Sequence, residues 1–134
     1  MTTSLVCGGA GYIGSHMVRA LLERGERVLV LDDLSKGHRE YVPDEAVFSK
    51  GDIRDGELLD RIFRENAVDA VFHFAAFIQV GESVQRPLEY YENNVTGVLR
   101  ILECMVRHKT PHIVFSSTAA VYGEPDFVPI PEDL

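Results

Sequence analysis

A chain of 134 residues with 46% apolar and 25% charged side chains can bury about 68% of its unfolded surface in one ordinary core. That composition disfavours disordered and collagen-like classes, and no run approaches the ~18–20 apolar residues of a membrane span. The formal charge is −8, with 9 basic and 12 acidic residues in 1–67 and 4 and 9 in 68–134, so no basic stripe is present for a phosphate backbone.

In chain order, Ser4–Cys7 reads as a buried strand leading into Gly8-Gly9-Ala10-Gly11. A helix is predicted from about Tyr12 to Arg24, with Ile13, Met17 and Leu21 on one face, Ala20 beside them and Gly25 as the stop. Arg27–Leu31 is a second strand, followed by a polar loop. Ala46–Lys50 is a weaker strand, Gly56–Asn66 a short helix carrying Leu58, Leu59, Ile62 and Phe63, and Ala70–Phe74 a fourth strand. A long helix is predicted from Pro87, favoured in a first turn, to about His108, with Tyr91, Val95, Val98, Leu102, Met105 and Val106 as its stripe. His112–Ser116 is a fifth strand, and the segment after Ser117 reads as loop. Apolar strands alternating with helices predict an α/β fold, a Rossmann-like doubly wound parallel sheet covered on both faces. The absence of a helix after the fifth strand predicts the N-terminal part of a longer protein, truncated within its nucleotide domain. Cys7 and Cys104 are too few and too far apart for a disulfide scaffold or zinc site, and read as buried free thiols in a reducing compartment.

Gly8, Gly11 and Gly14 are spaced three apart between a predicted strand and a predicted helix. Glycine lets the backbone turn tightly and approach a phosphate, and the helix start offers free N–H groups to it. Asp32 ends the second strand 18 residues after Gly14. A carboxylate there accepts from both ribose hydroxyls and repels a 2′-phosphate, which favours NAD over NADP. Asp52, after Gly51, suits either an adenine amino group or the cap of the next helix. Phe74-Ala75-Ala76 leaves room for a ribose or pyrophosphate, although the plainer reading is a packed core strand. No metal-ligand spacing is present.

Together these segments resemble the extended short-chain dehydrogenase/reductases, and among them the UDP-glucose 4-epimerase group. The likeness covers nearly the whole chain. It is carried by Gly8–His16, Asp32–Gly37, Gly51–Asp55 and His73–Ala76, and more specifically by Val80–Val84, Pro87–Asn94 and Ser116–Gly123. The resemblance implies an NAD-binding domain over 1–134, with a sugar-nucleotide domain outside it. Tyr12 and Ile13 would meet the pyrophosphate through their backbone, and Asp32 the ribose. Asp33, Ser35, Lys36 and Gly37 would line the adenosine end, with Asp52 and Ile53 flanking adenine. Phe74, Ala75, Ala76 and Asn93 would contact the middle of the cofactor, and Thr118 would assist at the reacting sugar oxygen. It also implies interconversion of UDP-glucose and UDP-galactose through a 4-keto sugar, as in galactose metabolism, in a homodimer; the cytoplasmic location is the one the two free cysteines suggest.

Two departures qualify the likeness. The group often carries a lysine where Ile78 stands, which bears on a pyrophosphate salt bridge. Its catalytic tyrosine has a lysine four places later, whereas the five tyrosines here are followed at that distance by His16, Glu45, Asn94, Val95 and Asp126. The 134 residues alone are therefore expected to be inactive. A nucleotide-sugar 4,6-dehydratase would need an Asp-Glu pair after Thr118, where Ala119-Ala120 stands. A non-catalytic NAD-binding module is the alternative of a different class. Finally, the long helix carries apolar residues on more than one face, Leu88, Ile101 and Met105 among them, which predicts self-association.

Overall fold

Five short apolar segments form strands: β1 (Thr3–Cys7), β2 (Arg27–Asp32), β3 (Val47–Lys50), β4 (Ala70–His73) and β5 (His112–Phe115). The computed structural model describes residues 1–134. All neighbouring strands pair in parallel, in the order β3-β2-β1-β4-β5. Parallel pairing requires crossovers; those from β1, β3 and β4 are helical and lie on both faces, while β2 reaches β3 through a loop with one 3₁₀ turn at Arg39–Tyr41. Alternation along the strands divides the core in two. Leu5, Cys7, Leu29, Leu31 and Val71 meet α2 (Gly56–Glu65) and α5 (Gly97–His108), while Val6, Val28 and Val30 meet α1 (Tyr12–Glu23). The doubly wound Rossmann-like sheet is thus as expected.

Several predicted faces are corrected. In α1 the buried residues are Gly14, Ser15, Val18 and Leu21, whereas Ile13 and Ala20 are exposed. The start of the helix lies against the glycine turn through Gly14, where any bulkier residue would meet the Gly8 backbone, and Val18 and Leu21 pack it on the sheet. The long helix is also more complex than its pattern suggested. A short helix α3 (Val80–Gln85) precedes it, and α4 (Pro87–Tyr91) joins α5 through a π-helical turn at Glu92–Thr96. Its core face is Tyr90, Asn93, Gly97, Ile101, Cys104 and Met105. Four members of the predicted stripe (Tyr91, Val95, Leu102 and Val106) face outward, and with Leu88 and Leu99 they form an exposed apolar row. Two apolar faces competed in the sequence, and the one carrying the small residues Gly97 and Cys104 packs closer to the sheet. β5 also departs from the expected two-sided cover, since all four of its residues are exposed.

At the far end of the pair α2–α5, Asp60 accepts from Arg107 and pairs with His108 Nε2, both at 2.8 Å. These partners hold its carboxyl below the usual carboxylate range, with the His108 hydrogen bond contributing most.

Candidate nucleotide site

The residues singled out in the sequence converge at the C-terminal edge of the sheet. β1 ends in the glycine turn, β2 in Asp32, β3 in Gly51-Asp52 and β4 in Phe74. β1 has β2 on one side and β4 on the other, so the chain reverses its direction of winding at the glycine turn. Such a reversal opens a crevice beyond the strand ends.

Gly8 (φ +82°) is held by its N–H to Leu31 O at 2.8 Å. A Cβ there would stand 2.7 Å from the Phe74 carbonyl, and one at Gly14 would stand 2.0 Å from Gly8 O. Both glycines are therefore required by space, and Gly8 by its dihedral angle as well. Gly11 is the N-cap of α1 and offers no side chain to cap it. The N–H groups of Tyr12, Ile13 and Gly14 consequently have no acceptor within the chain. They form the open positive end of a 12-residue helix. The cradle and these free donors fit a phosphate.

Asp32 ties the crevice together. Its Oδ2 accepts from Ala10 N at 3.0 Å and its Oδ1 from Leu34 N at 2.8 Å. Each carboxylate oxygen can accept a second hydrogen bond, so the group is oriented and still has acceptor capacity. Asp33 Oδ1 accepts from both Ser35 N and Ser35 Oγ, folding the following loop. That loop returns to the glycine turn through His38 N to Ala10 O at 2.9 Å, beside Gly37. Lys36 Nζ lies 3.7 Å from Glu82 of α3, a partner the sequence did not suggest.

For Asp52, the capping alternative is corrected. Asp55 caps α2, accepting from Leu58 N, and Asp52 instead accepts from Arg54 N and grips the Arg54 guanidinium. The Arg54 side-chain hydrogen bond holds the Asp52 carboxyl below its ordinary value. Ile53 is buried against Gly97, so its side chain belongs to the core and only its main chain remains for a ligand. Cys7, beneath the turn, has its thiol pushed up to about 12 by burial and by the Asp32 charge, and Cys104 is likewise buried and raised. Both are the buried free thiols expected from the sequence.

Phe74, Ala75 and Ala76 begin the strap between β4 and α3. Asn93 donates from Nδ2 to Ala75 O at 2.9 Å, which leaves its Oδ1 for any further contact. Ser116 N donates to His73 O, bringing the segment after β5 to the same edge. Thr118 there is exposed and accepts from Ala120 N at 3.2 Å, capping a 3₁₀ turn at Ala119–Tyr122. Its O–H remains free to donate. Ile78, near the α3 end of the strap, is exposed.

With this geometry in view, the comparisons are specific. The model of the NAD dependent epimerase/dehydratase family matches residues 4–134. The chain belongs to this family. A UDP-glucose 4-epimerase of Halalkalibacterium halodurans is 59% identical over 128 residues, covering 96% of this chain and 38% of that protein. The crystal structure of a UDP-glucose 4-epimerase superposes with a TM-score of 0.93 at 47% identity, over 98% of this chain and 40% of the other. That of the Bifidobacterium longum enzyme, in complex with NAD+ and UDP, gives 0.91 at 40% identity, over 98% and 42%. This member of the epimerase/dehydratase family thus spans about two fifths of the length of the relatives it matches. Its sheet is the Rossmann-like portion of those structures. No helix in it is long and apolar enough to cross a membrane.

Proposed function

We propose that residues 1–134 are the NAD-binding domain of a UDP-glucose 4-epimerase, acting on UDP-sugars in the cytoplasm. The observation that carries this reading is the unfilled ring of N–H donors at Tyr12–Gly14 beside the oriented carboxylate of Asp32, in a chain so similar to such epimerases.

The chain's own residues divide the work. The α1 N-terminus holds the pyrophosphate, and Asp32 accepts from the adenosine ribose hydroxyls. The Asp33–Gly37 loop borders the adenosine, and Asp52 with the main chain of Ile53 borders adenine. Phe74, Ala75, Ala76 and Asn93 line the middle of the crevice. Thr118 donates its hydroxyl hydrogen to the reacting sugar oxygen. Bound here, NAD supplies acceptance and return of hydride at the sugar C4. No tyrosine within these residues has a lysine four places on, so the base that removes the sugar proton comes from residues outside them. Ala119-Ala120 offers no acid–base pair for elimination of water, which favours epimerase over dehydratase.

The exposed row Leu88, Tyr91, Val95, Leu99, Leu102 and Val106 supports a homodimer formed through the long helix. Calorimetry tests the cofactor assignment. NAD binds more tightly than NADP if Asp32 meets the 2′-hydroxyl, and equal affinities overturn that role.

A further inference from the structure

The π-helical turn at Glu92–Thr96 interrupts an otherwise continuous helix. Backbone angles stay helical through Tyr91 (−64°, −44°), Glu92 (−58°, −48°) and Gly97 (−58°, −44°), so nothing in the chain path demands the wider turn. Turns of this kind are rare and concentrate at functional sites. An α-helix rotates ~100° per residue, which points adjacent side chains apart, and a turn closed by i→i+5 bonds rotates less. Here it lets two adjacent asparagines serve one target.

Asn93 Nδ2 donates to Ala75 O and to Asn94 Oδ1, both at 2.9 Å. Asn94 pairs with the Phe77 main chain as one peptide group pairs with another. Phe77 N donates to Asn94 Oδ1 at 2.8 Å, and Asn94 Nδ2 donates to Phe77 O at 2.9 Å. The Phe77 ring rests edge-on against Tyr90, 5.4 Å between centroids. The other end of this strap, the Phe74 carbonyl, is the wall against which Gly8 is packed. A strap that slackened at Phe77 would shift the side of the crevice facing the glycine turn.

We propose that Asn94 is a positioning residue for the nucleotide: by clamping both main-chain groups of Phe77, it fixes the strap that forms one wall of the crevice. The inference rests on the proposed NAD site and adds to it a residue that acts through the strap.

The test uses the 134-residue chain. Asn94→Leu removes both hydrogen bonds to Phe77 and the one from Asn93, and amide exchange followed by NMR without nucleotide should show the Phe77 N–H exchanging at least about tenfold faster. Unchanged exchange overturns the clamp. Asn94→Asp keeps the acceptor and loses the donor, leaving the Phe77 carbonyl against a carboxylate. Protonation restores the donor. The ratio of its NAD dissociation constant to that of the wild type should be about tenfold at pH 8 and fall toward one by pH 4.5. Dividing by the wild type removes titrations common to both. A ratio near one at pH 8, or one that does not change with pH, overturns the positioning role. A purely structural asparagine would not give this profile. A wild-type chain that fails to bind NAD overturns the site itself, and that outcome is read before any variant is made.

Discussion

At the scale of single residues, two atoms' worth of space separate the glycines that matter from those that do not. Gly14→Ala would place a methyl 2.0 Å from a backbone oxygen that cannot move without breaking the turn. It should cost about 3 kcal/mol in urea unfolding, whereas Gly25→Ala (φ +79°, with nothing within 4 Å) should cost about 1 kcal/mol. His73 sets a different constraint. It is buried with both ring nitrogens unpartnered, its ring stacked on Phe115 at 5.5 Å, and burial lowers its pKa below the usual value. The unfolded chain therefore binds a proton near pH 6.5 that the folded chain refuses, and stability falls as pH drops below that point. His73→Phe should flatten this part of a thermal-melt series between pH 7.5 and 5. A slope equal to the wild type would assign the acid sensitivity to other groups. The places of the glycine turn and of Asp32 were legible in the sequence because each directly follows or ends one apolar strand. Asp52 was not. Asp52 and Asp55 both lie near the helix start, and only the direction of the chain after Gly51 decides which one caps α2.

At the scale of elements, strands and helices were readable because each has its own apolar period, yet the faces of the long helix were not. Leu88, Tyr91, Val95, Leu99, Leu102 and Val106 make as good a stripe as Tyr90, Gly97, Ile101, Cys104 and Met105. What selects the second is close approach: Gly97 lies against Ile53, and Cys104 is small enough to let α5 settle on β4 and α2. α3 escaped notice for the opposite reason, since it buries none of its residues and so shows no period at all. The outward row makes a clear prediction. Leu102→Lys and Val106→Lys should change folding stability by no more than about 0.5 kcal/mol and shift a self-associating chain to monomer in sedimentation velocity. Ile101→Lys, at 0% exposure, should unfold it. Association unaffected by both outward changes would move the interface elsewhere.

At the scale of the whole molecule, the chain exposes 8654 Å², where a compact monomer of its mass averages about 7,000 Å². The helix row and the bare strand β5 contribute apolar area to that surface. The strand order also has a consequence for the chain as it is being made. β1 is made before the other four strands of this sheet and is its middle strand. β2 can join it early, but its other flank waits for Ser4 to meet Ala70 and Cys7 to meet His73. Through that interval Leu5, Val6 and Cys7 present an open edge of apolar β-strand, the kind of template on which a second nascent chain can pair. Synthesis rate over residues 8–69, and whatever shields that edge meanwhile, therefore bear on yield alongside the stability of the folded sheet.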